Sequence, residues 1–239
     1  MINLFTAVNR VRILSWEHLI PIVLAVISAV TLIRFSRTIS SEGQQRAIHY
    51  FAVFISVSVI AFHINSIVTT DYNITTDLPL YLCSLLGIII PIFTYYRKYW
   101  MFEILVFWII AGTLQGVLTP DIAEGFPSLD YFRYWIVHLG LLIVIVYNIV
   151  VFKLKPKFKS VFKSFFALQI YVVVMIVINY VLNANYFYLN RKPDSASVLD
   201  YWGEWPYYII VTQLIIIPLF LIIYLPFYFS EVNKKLYKL

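Results

Sequence analysis

Seven long apolar runs, at positions 16–35, 47–69, 78–96, 99–118, 131–152, 163–185 and 206–229, constrain this chain more than anything else in it. A helix needs about 20 apolar residues to cross the hydrocarbon core of a bilayer, and every run approaches or exceeds that length. Seven spans use most of the 239 residues and leave only short connections, so no separate soluble domain fits. With 62% hydrophobic and 13% charged residues and a mean hydropathy of +0.83, the chain lacks the polar surface to enclose a core in water. The reading is all-α: one transmembrane helical bundle over residues 1–239, multi-pass in the cell membrane.

The basic residues orient it. Arg34, Arg37 and Arg46 lie between runs one and two, Arg97 and Lys98 between three and four, and five lysines (153, 155, 157, 159 and 163) between five and six. Lys234, Lys235 and Lys238 follow run seven. Cytoplasmic connections collect Lys and Arg, which predicts an outside N-terminus and a cytoplasmic C-terminus. Asp71, Asp77, Asp121, Asp130, Asp194, Asp200 and Glu204 then fall outside. Arg10 and Arg12 precede run one without a small-residue cleavage site after it, so that run is expected to remain as a helix. The net charge of +6 is spread over these connections rather than gathered into a patch, which argues against nucleic acid.

Polar residues inside the spans are one-sided. Counting helical rise from the outer boundary puts Cys83 about 8 Å deep and His138 about 10 Å deep. His18, His63, Gln115, Asn179, Asn183 and Gln213 fall in the same layer, whereas the cytoplasmic halves hold almost no strongly polar side chain. Polar groups in hydrocarbon pair with each other or line a wet cavity, so the layer predicts an outward-facing polar pocket. Gln115, Asn179 and Gln213 read as interhelical hydrogen-bonding residues. Glu103 is expected to pair with the Arg97–Lys98 connection, and His49 to sit at the inner interface. Pro79 and Pro206 are expected in the first turns of helices three and seven.

Cys83 and His138 are the pair with chemical content. An imidazole that takes the thiol proton makes the sulfur a nucleophile able to carry an acyl group as a thioester. His63 or Asn183 could orient the base. Gly87, one turn beyond Cys83, leaves room for an acyl chain or else permits close helix packing, the second being the commoner use. A single cysteine excludes an intramolecular disulfide and a cysteine metal cluster, and no metal or other cofactor is expected.

Several motifs resemble those of one family. Leu78-Pro79-Leu80-Tyr81-Leu82-Cys83 is similar to the Leu-Pro-x-His-x-Cys signature of YwaF-like bacterial membrane proteins, with Tyr81 where that signature has His. Ser15-Trp16-Glu17-His18 and Phe126-Pro127 followed by His138 resemble further family motifs. So does the loop carrying Asn183, Asn185, Lys192, Asp200 and Trp205, in which Glu204 replaces the usual Pro. The family is related to transmembrane protein 164, a membrane acyltransferase acting on ether-linked lysophospholipids. The resemblance implies a Cys83–His138 catalytic pair in a phospholipid acyltransferase or lipid ester hydrolase, and the polar residues His18, His63, Asn183, Asn185, Lys192, Asp200 and Trp205 are expected to bind substrate. Membrane lipids would be the partners, as acyl donor or lysophospholipid acceptor.

The alternative is a small transporter or substrate-binding membrane protein without covalent chemistry. Its best-known seven-helix forms fit poorly: 206–229 has no lysine for retinal, and no Pro-Gln dipeptide occurs.

Overall fold

The computed structural model describes residues 10–122, 124–193 and 197–236, the last six as backbone. Asp194 and Lys238, and the side chains of Lys234 and Lys235, fall outside the described residues. Seven helices and no strand are present among them. They are α1 (Trp16–Ser36), α2 (Ser41–Thr69), α3 (Leu82–Tyr96), α4 (Tyr99–Leu118), α5 (Leu129–Val150), α6 (Phe158–Leu182) and α7 (Tyr207–Leu236). Six are long and apolar enough to cross a membrane; α3 is the short one.

The helix starts differ from the apolar runs for identifiable reasons. Helix α2 begins six residues early because the Ser40 hydroxyl accepts from the Gly43 N–H and caps a polar first turn. Helix α3 begins four residues late, and its 15 residues rise about 22 Å, short of the roughly 30 Å hydrocarbon core. Residues 78–81 are apolar yet not helical, so Pro79 lies in a loop rather than in a first helical turn. Tyrosines satisfy that loop's backbone. Tyr171 donates to the Leu80 carbonyl (2.6 Å), Tyr186 accepts from the Leu78 N–H (3.0 Å), and Tyr72 donates to the Asp77 carbonyl (3.0 Å). Buried non-helical backbone is tolerated where such partners exist. Pro206 likewise precedes α7.

Helix α6 ends at Leu182, not at 185: Asn183 takes a left-handed conformation (φ 52°) as its C-cap. Helix α4 contains a π-helical turn, Ile109–Thr113. A central α5 packs against α1, α2, α3 and α4, while α6 packs against α4 and α7. Close approach depends on glycine at two places. A Cβ on Gly140 would meet Ile55 at 2.7 Å, and one on Gly87 would meet Val59 at 3.1 Å. Gly87 therefore serves packing of α3 on α2 and opens no space for an acyl chain. All long loops (70–81, 119–128 and 183–206) lie at one end of the bundle, and the lysine-rich connections lie at the other.

Candidate functional site

Cys83 is the second residue of α3, so helical rise is not what sets its depth; the loop 70–81 brings it down. It lies opposite the π turn of α4, its Sγ 3.8 Å from the buried Thr113 Oγ1. A π turn shifts the register of the side chains that follow it, and such turns recur at functional sites. Here the turn sets Thr113 against the thiol and, one turn on, Gly116 against His138.

His138 is 8% exposed on α5. Its Nδ1 lies 2.8 Å from the Tyr134 carbonyl. A carbonyl only accepts, so Nδ1 carries the proton and the neutral ring keeps its lone pair on Nε2. The Tyr134 ring stacks on the imidazole, centroids 3.9 Å apart. A Cβ on Gly116 would sit 2.7 Å from Nε2, so only glycine lets the α4 backbone pass the base this closely. The Tyr134 hydroxyl donates to the Gly116 carbonyl (2.8 Å) and accepts from the Asp121 N–H (3.2 Å).

Cys83 and His138 line one cavity of about 550 Å³, between residues of the loop that joins α6 to α7 and the facing sides of α4 and α7. Phe187 and Tyr188 roof it with φ values of 61° and 54°. Positive φ on bulky residues is uncommon and concentrates at functional sites. Asn179 holds this roof, its side chain accepting from the Tyr186 N–H and donating to the Tyr186 carbonyl. The Tyr188 hydroxyl donates to Asp121 (3.3 Å), and burial together with that carboxylate pushes its pKa well up, keeping it a neutral donor.

A second, more polar cavity of about 260 Å³ adjoins the first. Tyr81, Ser84 and Arg133 line both. Arg133 pairs with Asp130, lies over the Phe62 ring (4.5 Å), and its Nη1 approaches the Ser84 Oγ at 3.4 Å. It also lies in electrostatic range of Cys83, His63 and His138. His63 lines the smaller cavity, both of its ring nitrogens buried and without a well-formed hydrogen bond, with the Asp77 backbone within reach of the ring.

The other sequence-predicted site residues line neither cavity. His18 is 4% exposed; its Nδ1 accepts from the Leu14 N–H, and its Nε2 donates to the Val117 carbonyl. It is the opposite tautomer to His138 and ties α1 to α4. Asn183 caps α6. Asn185 accepts from the Asn190 and Arg191 N–H groups, and Asp200 from the Ser197 N–H. Lys192 pairs with Glu204 at 3.1 Å, and Trp205 donates to the Leu189 carbonyl. These residues shape the loop that roofs the cavity.

Gln213 accepts from Gln169 across α6 and α7 as interhelical bonding predicts, but Gln115 bonds Thr119 within its own helix. Glu103 pairs with Lys163 and Ser160 of α6, not with the adjacent connection. His49 bonds Thr94 of α3 (3.1 Å). Sequence reasoning missed Tyr134, Thr113, Gly116 and Arg133. Only Arg133, a cation inside a predicted span, carried a signal that could have found it.

No curated protein and no solved structure matches the chain significantly. The model of the TMEM164 family matches residues 13–224, a stretch that takes in Cys83, His138 and both cavities. The protein is a multi-pass membrane protein, and it belongs to the TMEM164 family.

Proposed function

We propose that this protein transfers acyl groups between membrane lipids through a thioester on Cys83, with His138 as base and acid. The observation that carries the reading is that the chain's single cysteine lines one cavity with a histidine whose Nδ1 is fixed by a backbone carbonyl. That arrangement leaves Nε2 as the basic atom.

The thiol proton passes to Nε2 as the sulfur attacks the acyl carbonyl carbon, forming the C–S bond. The C–O bond to the leaving alcohol then breaks, and that alcohol takes the proton from His138. In the second half a lysolipid hydroxyl, or water, gives its proton to Nε2 and attacks the thioester. The C–S bond breaks, and the proton returns to sulfur. Thr113 and Arg133 are placed to stabilise negative charge near the sulfur.

In this reading α3 completes a seventh crossing together with the half-buried loop 78–81. The loop-rich end faces outward, carrying the N-terminus, and the lysine-rich end faces the cytoplasm. The cavities then open toward the outer leaflet of the cell membrane. His63 would contact substrate in the smaller cavity, while His18, Asn183, Asn185, Lys192, Asp200 and Trp205 hold the walls and roof.

The test uses purified full-length protein in detergent and an activated acyl ester such as p-nitrophenyl butyrate. An acyl adduct on Cys83 by intact mass is expected. Its loss is expected in Cys83→Ala, as is strong slowing in His138→Ala, with both variants folded. Full acyl turnover by folded Cys83→Ala sinks the mechanism.

A further inference from the structure

Depth below the thiol is short. Cys83 faces Thr113 of α4, and the cavity floor is Trp108 with Phe220, whose ring meets Phe107 at 5.1 Å. Five or six residues of helix separate Thr113 from that floor, about 8–9 Å at 1.5 Å per residue. One leaflet of a roughly 30 Å hydrocarbon core is about 15 Å deep. A membrane-length acyl chain attached to the thiol cannot be contained beneath it.

The same cavity has another way out. Lining residues run along α4 and its C-cap (Trp108, Ala111, Gly112, Gln115, Gly116, then Thr119) and along one facing stripe of α7 (Ile209, Thr212, Gln213, Ile216, Leu219). On α7 the spacing is that of a single helix face; on α4 it is the shared cavity wall, not the spacing, that puts these residues on one side, because the π turn shifts their register. Each of these residues is half-buried, whereas Tyr208 and Phe220, which close the α7 stripe at its two ends, are buried. Helix α7 leans on α6 and meets α4 at the π turn. Beyond that turn the loop-side half of α4 packs on α5 instead. The two walls therefore diverge toward the loop-rich end, and small side chains at Ala111, Gly112 and Gly116 keep the α4 wall low.

We infer that the seam between α4 and α7 is a lateral portal through which one lipid acyl chain enters from the bilayer, its remainder staying in the membrane. The occupant is a hydrocarbon chain because the seam lies within two apolar spans and its lower walls are Trp108, Ala111, Ile216 and Leu219. Only the chain's destination, Cys83, rests on the acyl-transfer reading; the portal itself does not.

Trp108 reports on occupancy. Full-length protein is reconstituted in phosphatidylcholine vesicles whose acyl chains carry bromine near the terminus. The contribution of Trp108 is taken as the difference from Trp108→Phe. Quenching of Trp108 is expected in the wild type and its loss in Ala111→Phe and Ile216→Phe, which narrow the portal from opposite walls. Absence of quenching in the wild type overturns the portal. So does undiminished quenching in both narrowed variants, or quenching of Trp108 by aqueous iodide, which would make the seam a water-filled vestibule. Should one narrowed variant fail to fold, the other decides. If Trp108 behaves as expected while Cys83 never acquires an acyl group, the portal stands and the acyl-transfer reading falls.

Discussion

The Tyr134 ring lies against the His138 imidazole with centroids 3.9 Å apart and planes 21° from parallel, and the Tyr134 carbonyl holds the Nδ1 of that same imidazole at 2.8 Å. Four residues apart on α5, the two are neighbours by helical geometry. One residue thus supplies both the surface that fixes the plane of the base and the acceptor that fixes its tautomer. Tyr134 is a positioning residue in this arrangement.

Tyr134→Phe keeps the ring and the carbonyl but removes the hydroxyl that donates to Gly116 and accepts from Asp121. Leaving such buried backbone groups short of a partner costs about 1–3 kcal/mol of stability. Tyr134→Leu also removes the stack, worth about 0.5–1.5 kcal/mol beyond burial. A graded fall in Cys83 acylation, smaller for Phe than for Leu, is expected from single-turnover mass spectrometry. Equal rates in both variants and wild type would leave Tyr134 no positioning role.

Gly116 and Gly112 sit four residues apart and should respond oppositely to alanine. At Gly116 a Cβ would lie 2.6 Å from the His138 ring and 3.1 Å from the Tyr134 hydroxyl, whereas at Gly112 its nearest contact is Leu82 at an ordinary 3.7 Å. Overpacking of this kind costs about 1–3 kcal/mol. Gly116→Ala should therefore lower thermal stability and displace the base, while Gly112→Ala should be close to neutral in both respects. Thermal unfolding in detergent alongside the acylation assay checks the pair.

His63 offers the reverse trade. Two buried ring nitrogens without a well-formed hydrogen bond, the Asp77 backbone being the partner within reach, carry a desolvation cost, and an apolar replacement removes most of it. His63→Leu should leave stability unchanged or raise it by about 1 kcal/mol in lipid-free detergent. If the smaller cavity takes part of the substrate, transfer to a lysolipid acceptor should fall in the same variant. A marked loss of stability would mean that His63 is a packing residue.

How much of this was written in the sequence depends on whether a role is carried by one residue or by a neighbour. The apolar runs give the seven helices because burial in lipid leaves a continuous local signal. His138 stood out because an imidazole is costly in a span, and Cys83 because it is the chain's single thiol at a matching predicted depth. Both line one cavity, where Cys83 sits at the start of α3 behind the loop 70–81 rather than at the end of a helical descent. Residues 78–81 were misread because apolar composition does not distinguish a helix from a half-buried loop whose backbone is satisfied by Tyr171 and Tyr186, some 90 and 110 residues away. Gly116 was silent for a related reason: a glycine's function is the atom it makes room for, and that atom lies on another helix. The polar residues of the loop between α6 and α7 were legible as a motif but not as structure. Asn185, Asp200 and Trp205 bond the loop's own backbone and Lys192 pairs with Glu204, and none of the four lines the cavity.

Glu103 and Lys163 provide a test far from the cavity. Glu103 is buried on α4 and accepts from Ser160 and Lys163 of α6. Removing the cation alone in Lys163→Met leaves a buried carboxylate with one hydroxyl partner. Removing both charges in Lys163→Met/Glu103→Gln leaves a neutral amide that Ser160 can still reach. Losing one member of a buried pair is worse than losing both, because the survivor keeps its desolvation cost. Lys163 is about half exposed, so water replaces part of its contribution. A single-variant loss of about 1–3 kcal/mol is accordingly expected, most of it recovered in the double variant. Thermal unfolding of the two variants and wild type at neutral pH measures the difference. Additive losses would show that the pair does not couple α4 to α6.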